Sequence, residues 1–146
     1  MSRLVALISA VLLTCNDGGQ LEKEFFKHPR TERVERLRHY SLEDQYRIFR
    51  YGNDIIEPPD LGLANPIAER GAAAIPFLTD QLKSSTDDLA VVDIMLILKT
   101  MVNLKTYDVK RDATLMNVLE TRISEMKSRD WQAFCREKLE NIKNAP

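Results

Sequence analysis

The chain has 146 residues, 44% hydrophobic and 29% charged, with only five Gly and six Pro. That is the composition of one globular domain and excludes a collagen-like, mucin-like or acidic disordered chain. Twenty-one Lys and Arg against twenty-two Asp and Glu leave a formal net charge of -1, so bulk charge supplies no pull toward nucleic acid or an anionic membrane.

At the amino terminus, Met1-Ser2-Arg3 precedes the uncharged run Leu4 to Leu13, then Thr14-Cys15 and the polar stretch Asn16 to Gln20. A short cationic segment, an apolar segment and an abrupt polar boundary form the three-part pattern of a secretory signal. An apolar helix of this length reaches about 15 Å, roughly half of a hydrocarbon core of about 30 Å, so a permanent transmembrane anchor is not expected. Leu12-Leu13-Thr14-Cys15 resembles the lipobox of bacterial lipoproteins, with Thr14 where that family usually has Gly, Ala or Ser. The resemblance implies cleavage before Cys15, a diacylglyceryl group on its sulfur and attachment to the cell envelope. The expected organisation is residues 1–14 as signal peptide, 15–20 as lipidated Cys and tether, and 21–146 as one helical domain. With Cys15 acylated, Cys135 has no partner for an intramolecular disulfide and reads as a small buried hydrophobe.

Past residue 20 no window alternates apolar and polar residues for the length of a strand, and the domain is predicted all-α. Leu21 to Lys27 forms a short helix closed before Pro29, and Thr31 caps a brief charged helix holding Val34 and Leu37. Ser41 with Asp44 makes a capping-box variant opening a helix with Leu42, Tyr46 and Phe49 inward, and Gly52-Asn53 offers a left-handed stop. Glu57-Pro58-Pro59-Asp60 is an extended joint whose Asp60 caps a helix running to Arg70, kinked or restarted at Pro66, with Gly71 as its stop. Residues 72–84 place Ile75, Leu78 and Leu82 inward.

After a turn over Ser84 to Asp88, the stretch from Asp87 to Asn103 is apolar around nearly its whole circumference, which places it in the middle of a bundle. Beyond a loop at Lys105 to Asp108, Leu115, Leu119, Ile123 and Met126 line one helix, and Trp131, Cys135, Leu139 and Ile142 line the last. Residues 68–101 resemble a HEAT-type repeat through Pro76, Leu78, Leu82, the acidic turn Asp87-Asp88 and the apolar second helix. The resemblance implies a small array of helical hairpins, and helix starts near 42, 72 and 109 fit such a spacing. A compact irregular α-bundle remains the competing architecture.

Sites for chemistry are sparse. His28 and His39 have no H-x-x-x-H, E-x-x-H or C-x-x-C partner, and no glycine-rich phosphate loop is present, so no metal, cofactor or nucleic acid is expected. Glu57, Asp60 and Glu69 gather around the Pro-Pro joint as capping and loop charges, the acid–base alternative being an envelope hydrolase that uses Glu57 and Asp60.

Charge is uneven. Residues 51–100 carry three basic against eight acidic groups, while Arg30, Arg33, Arg36 and Arg38 interleave with Glu32 and Glu35 at helix-pairing positions. Arg47, Arg50 and Tyr51 fall off the core stripe of their helix and, with Glu57, Asp60, Asp87 and Asp88, form the expected interaction surface. The functional expectation is a non-catalytic, lipid-anchored envelope module that binds another envelope protein. The alternative is an inhibitor or immunity-type lipoprotein whose acidic middle faces a basic target.

Overall fold

A computed structural model describes residues 19–146, and the signal, lipobox and Cys15 readings lie outside them. Among the described residues every regular element is a helix. They are α1 (Gln20–Phe26), α2 (Arg30–Leu37), α3 (Leu42–Ile55), α4 (Ala64–Ala68), α5 (Ile75–Ser84), α6 (Asp88–Leu104), α7 (Ala113–Ser124) and α8 (Arg129–Lys143), with short 3-10 turns at Leu61–Leu63, Gly71–Ala74 and Val109–Arg111. None of these helices is long and apolar enough to cross a membrane.

Local signals set most of the boundaries. The Ser41 hydroxyl accepts the Asp44 amide at 3.2 Å and opens α3. The Asp87, Asp112 and Ser128 side chains do the same for α6, α7 and α8, each satisfying an amide that the helix leaves unpaired. Gly71 adopts the expected left-handed φ of +55, and a Cβ there would stand 2.6 Å from the Thr106 carbonyl oxygen, but the preceding helix already ends at Ala68 and Gly71 opens a 3-10 turn.

Several boundaries differ from expectation, among them the start of α5 at Ile75 rather than residue 72, after the 3-10 turn. Gly52 does not end α3, which runs to Ile55. It lies instead under the Phe26 ring, where a Cβ would come within 2.6 Å of that ring, so the missing side chain makes room for α1. Asp60 makes no side-chain cap; its residue is buried and its carboxylate sits 3.6 Å from Arg30 Nε. The α2 helix starts at Arg30, with Pro29 at the capping position, one residue before Thr31.

The most apolar helix is also the middle of the fold. Helix α6 packs on α3, α4, α5, α7 and α8, and Val91, Ile94, Met95, Ile97, Leu98 and Met101 are all but inaccessible. Asp93 is the buried charge on this helix. Its N-terminus is tied to that of α8, because Asp88 Oδ2 accepts the Lys127 and Ser128 amides at 2.9 and 2.8 Å. The earlier helices are stitched through α3: Gln45 Nε2 donates to the Leu37 carbonyl at 2.9 Å and its Oε1 accepts from Arg70 Nε at 2.8 Å.

On α8, Cys135, Leu139 and Ile142 are inward as expected, but Trp131 is 41% exposed. It stands in the first turn and meets Phe134 edge-on, at 5.8 Å between centroids. Burial, helped by the charge of Asp88, pushes the Cys135 thiol up to about 12, which keeps it protonated and inert at neutral pH.

Candidate functional site

Along α3, Glu43, Arg47, Arg50 and Asp54 stand at i, i+4, i+7 and i+11, a single stripe opposite the side that buries Ile48 and Phe49. The stripe borders two hollows that meet at Arg50. One, of about 270 Å³, lies between α3 and the start of α6 and is walled by Tyr51, Asn53, Asp54, Asp87, Leu89 and Asp93. The other, of about 450 Å³, lies between α1, α3 and α5 and is walled by Glu22, Glu43, Tyr46, Arg47, Phe77 and Gln81.

The arginines here are held by carboxylates of other elements. Arg50 Nη2 donates to Asp87 Oδ2 at 2.6 Å and its Nε to Asp93 Oδ2 at 3.1 Å, while Asn53 Nδ2 donates to Asp93 Oδ1 at 2.8 Å. Arg47 binds one oxygen of Glu22, with Nη2 at 3.0 Å, and reaches Asp44 at 3.4 Å. The Arg50 guanidinium also stands 5.9 Å from the centroid of Tyr46, whose ring meets Phe77 edge-on at 5.4 Å.

Burial governs the titration of this cluster. It raises the Asp93 carboxyl above the ordinary range, although the hydrogen bonds from Asn53 and Arg50 pull the other way. Burial would lower the Arg50 guanidinium, but its hydrogen bonds to Asp87 and Asp93 prevail and raise it. Tyr46 is pushed up to about 12, mainly by burial, so at neutral pH its hydroxyl keeps its proton.

Of the surface expected from sequence, Arg47, Arg50, Tyr51 and Asp87 come together on this face. Tyr51 is half-buried there, stacked on Phe26 at 5.8 Å and 29°. Asp88 turns away to the α8 amides. Glu57 and Asp60 border neither hollow: Glu57 is exposed on the joint and Asp60 is buried against Arg30. The sequence reading missed Glu22, Asn53 and Asp93, whose partners lie 25 to 43 residues away along the chain, beyond the reach of any spacing rule.

Around the stripe, the carboxylates of Glu22, Glu43, Asp44, Asp54, Asp87 and Asp93 outnumber the two guanidinium groups. Glu43 and Asp54 make no ion pair among the described residues, so the face carries net negative charge. Leu89, 37% exposed, adds apolar surface at its edge. Among the described residues, no three His, Cys, Asp or Glu side chains converge as a metal ion requires. No family model matches the chain, and no curated protein or solved structure is significantly similar to it.

Proposed function

We propose that this chain is a lipid-anchored envelope protein whose helical domain binds another envelope protein through the face formed by α3 and the start of α6. The observation that carries the binding half of this reading is the open acidic hollow over Arg50, bordered by exposed Leu89. An interface centred on an apolar anchor with charged groups at its rim needs that combination. The Arg50 pairs with Asp87 and Asp93 tie α3 to the start of α6, so these two helices lose little freedom on binding.

The acidic balance also favours the second reading, a specific inhibitor of a basic target, over a general scaffold. Association with such a target is expected to weaken steeply between low and physiological salt, because exposed charges are screened over about 8 Å at 0.15 M. Binding that ignores salt points back to the scaffold.

The address rests on Leu4 to Cys15. Expressed in bacteria, the chain is expected to be recovered in membranes, with an intact mass that begins at Cys15 and includes added acyl groups. Cys15→Ala is expected to release an unacylated protein. More than one acyl chain is needed for stable anchoring, since each buried methylene contributes only about 0.8 kcal/mol. A soluble, unmodified chain that keeps Met1 removes the envelope from the proposal.

A further inference from the structure

The larger hollow holds a feature that the fold does not explain. Glu22 and Tyr46 are both more than nine-tenths buried, yet Glu22 Oε2 and the Tyr46 hydroxyl have no hydrogen-bond partner. A buried oxygen left unpaired is destabilising, so native structures seldom keep two residues with such oxygens on one cavity without a use. Arg47 engages only the other oxygen of Glu22, through both Nε and Nη2. Arg50 is committed to Asp87 and Asp93. Glu43, on the same wall, is exposed and unpaired among the described residues.

The unmet groups are therefore a carboxylate oxygen and a neutral hydroxyl, beside an exposed carboxylate. Glu22 Oε2 and Glu43 can accept, the Tyr46 oxygen can accept as well as donate, and Phe77 with the Tyr46 ring supplies an apolar wall at about 450 Å³. An alkylammonium group, a cation with three donors at the end of an apolar stem, matches this set. An anion meets carboxylates, and a neutral apolar ligand leaves Glu22 Oε2 unpaired. We propose that the cavity between α1, α3 and α5 binds an alkylammonium group, either the end of a partner's lysine side chain or a free diamine. Glu22 Oε2 and the Tyr46 hydroxyl receive the ammonium, and Phe77 lies against the stem. Both oxygens are shielded from water in this conformation. Entry thus requires Arg47, whose side chain is 44% exposed, to swing off Glu22, and Arg47 acts as a gate. The proposal deepens the binding reading by giving the face its specificity for a basic partner.

The test is a titration of the isotope-labelled protein, followed by amide NMR, with Nα-acetyl-lysine N-methylamide, 1,5-diaminopentane and, as uncharged isostere, Nα-acetyl-norleucine N-methylamide. Saturable shifts at Glu22, Tyr46, Phe77 and Gln81 are expected from the amines, at dissociation constants of about millimolar, as a few directed contacts on a small ligand give. Glu22→Gln is expected to weaken them about tenfold, the worth of one charge-assisted hydrogen bond. Tyr46→Phe, which removes only an unpaired oxygen and leaves the ring packing intact, and Glu43→Gln, on an exposed position, weaken them severalfold. Arg47→Gln is expected to tighten them, which a merely structural arginine would not do. Tighter binding of the lysine derivative assigns the site to a partner protein, and tighter binding of the diamine assigns it to a free polyamine. Norleucine shifts equal to those of lysine, or amine shifts unchanged in both Tyr46→Phe and Glu43→Gln, overturn the proposal. Loss of amine binding with partner cross-linking intact would remove the pocket and leave the binding face standing.

Discussion

Replacing Arg50 by Ala is expected to destabilise the protein by about 2–3 kcal/mol at pH 7, measured as urea unfolding followed by circular dichroism. The magnitude follows from leaving a buried carboxylate without its cation, which costs about 3–5 kcal/mol in a fully buried pair; the 32% exposure of the Arg50 side chain reduces it here. Asp93 then keeps only the Asn53 amide.

The sign of the pH dependence is fixed by the direction of the shift. The Asp93 carboxyl is already raised by burial, so the folded state binds its proton more tightly than the unfolded chain, whose value lies near about 3.9. The cost of the charged form is therefore full above the folded value. It fades as pH falls through that value and is gone below about 3.9. Removing Arg50 raises the folded value further, so the difference between wild type and Arg50→Ala is expected to be largest near neutrality and to shrink in acid. Adding Asp93→Asn to Arg50→Ala is expected to restore part of the loss at pH 7. A pH-independent loss, or one below about 0.5 kcal/mol, contradicts the buried network. Glu69 behaves oppositely: its hydrogen bond to Arg38 lowers it, so its small, exposed contribution is present above the unfolded value and lost in acid.

Leu98→Ala in α6 is expected to cost about 2–5 kcal/mol, the range for removing a fully buried leucine side chain from a packed core. Leu98 is wholly inaccessible, on the helix that α3, α4, α5, α7 and α8 share, so collapse around the void requires several helices to move at once. Leu104, at the far end of α6 and 45% exposed, serves as the control, and its replacement by Ala is expected to shift stability by no more than about 0.5 kcal/mol. Since a domain of this kind is stable by about 5–15 kcal/mol, the first variant is expected to show a clearly lower urea midpoint with the same slope. Equal effects at both positions contradict the central placement of α6.

Elements whose causes are local were readable from sequence. The Ser41 cap, the left-handed turn at Gly71, the Asp87 start of α6 and the apolar circumference of α6 each depend on residues within a turn or two. The misreadings have tertiary causes. Gly52 looks like a stop until Phe26 is placed over it, and Trp131 continues the α8 stripe past the point where neighbouring helices cover it. The candidate face was half legible: Arg47, Arg50 and Tyr51 stand off the core stripe of α3, which amphipathic spacing reveals. Their carboxylate partners could not be read, because Glu22 reaches Arg47 from α1 and Asp93 reaches Arg50 from α6. Asp93 in a run of apolar residues was the one signal available, since a buried carboxylate requires a partner.

The most direct test of the account is site-specific photo-cross-linking in the producing cell, with the photoreactive residue at Leu89 on the acidic face or at Asn141, exposed on α8. One discrete protein adduct from Leu89, absent from Asn141 and diminished when envelope extracts are cross-linked at high salt, is the predicted result. No adduct from Leu89, or the same adducts from both positions, would contradict a partner-binding role for the α3 and α6 face.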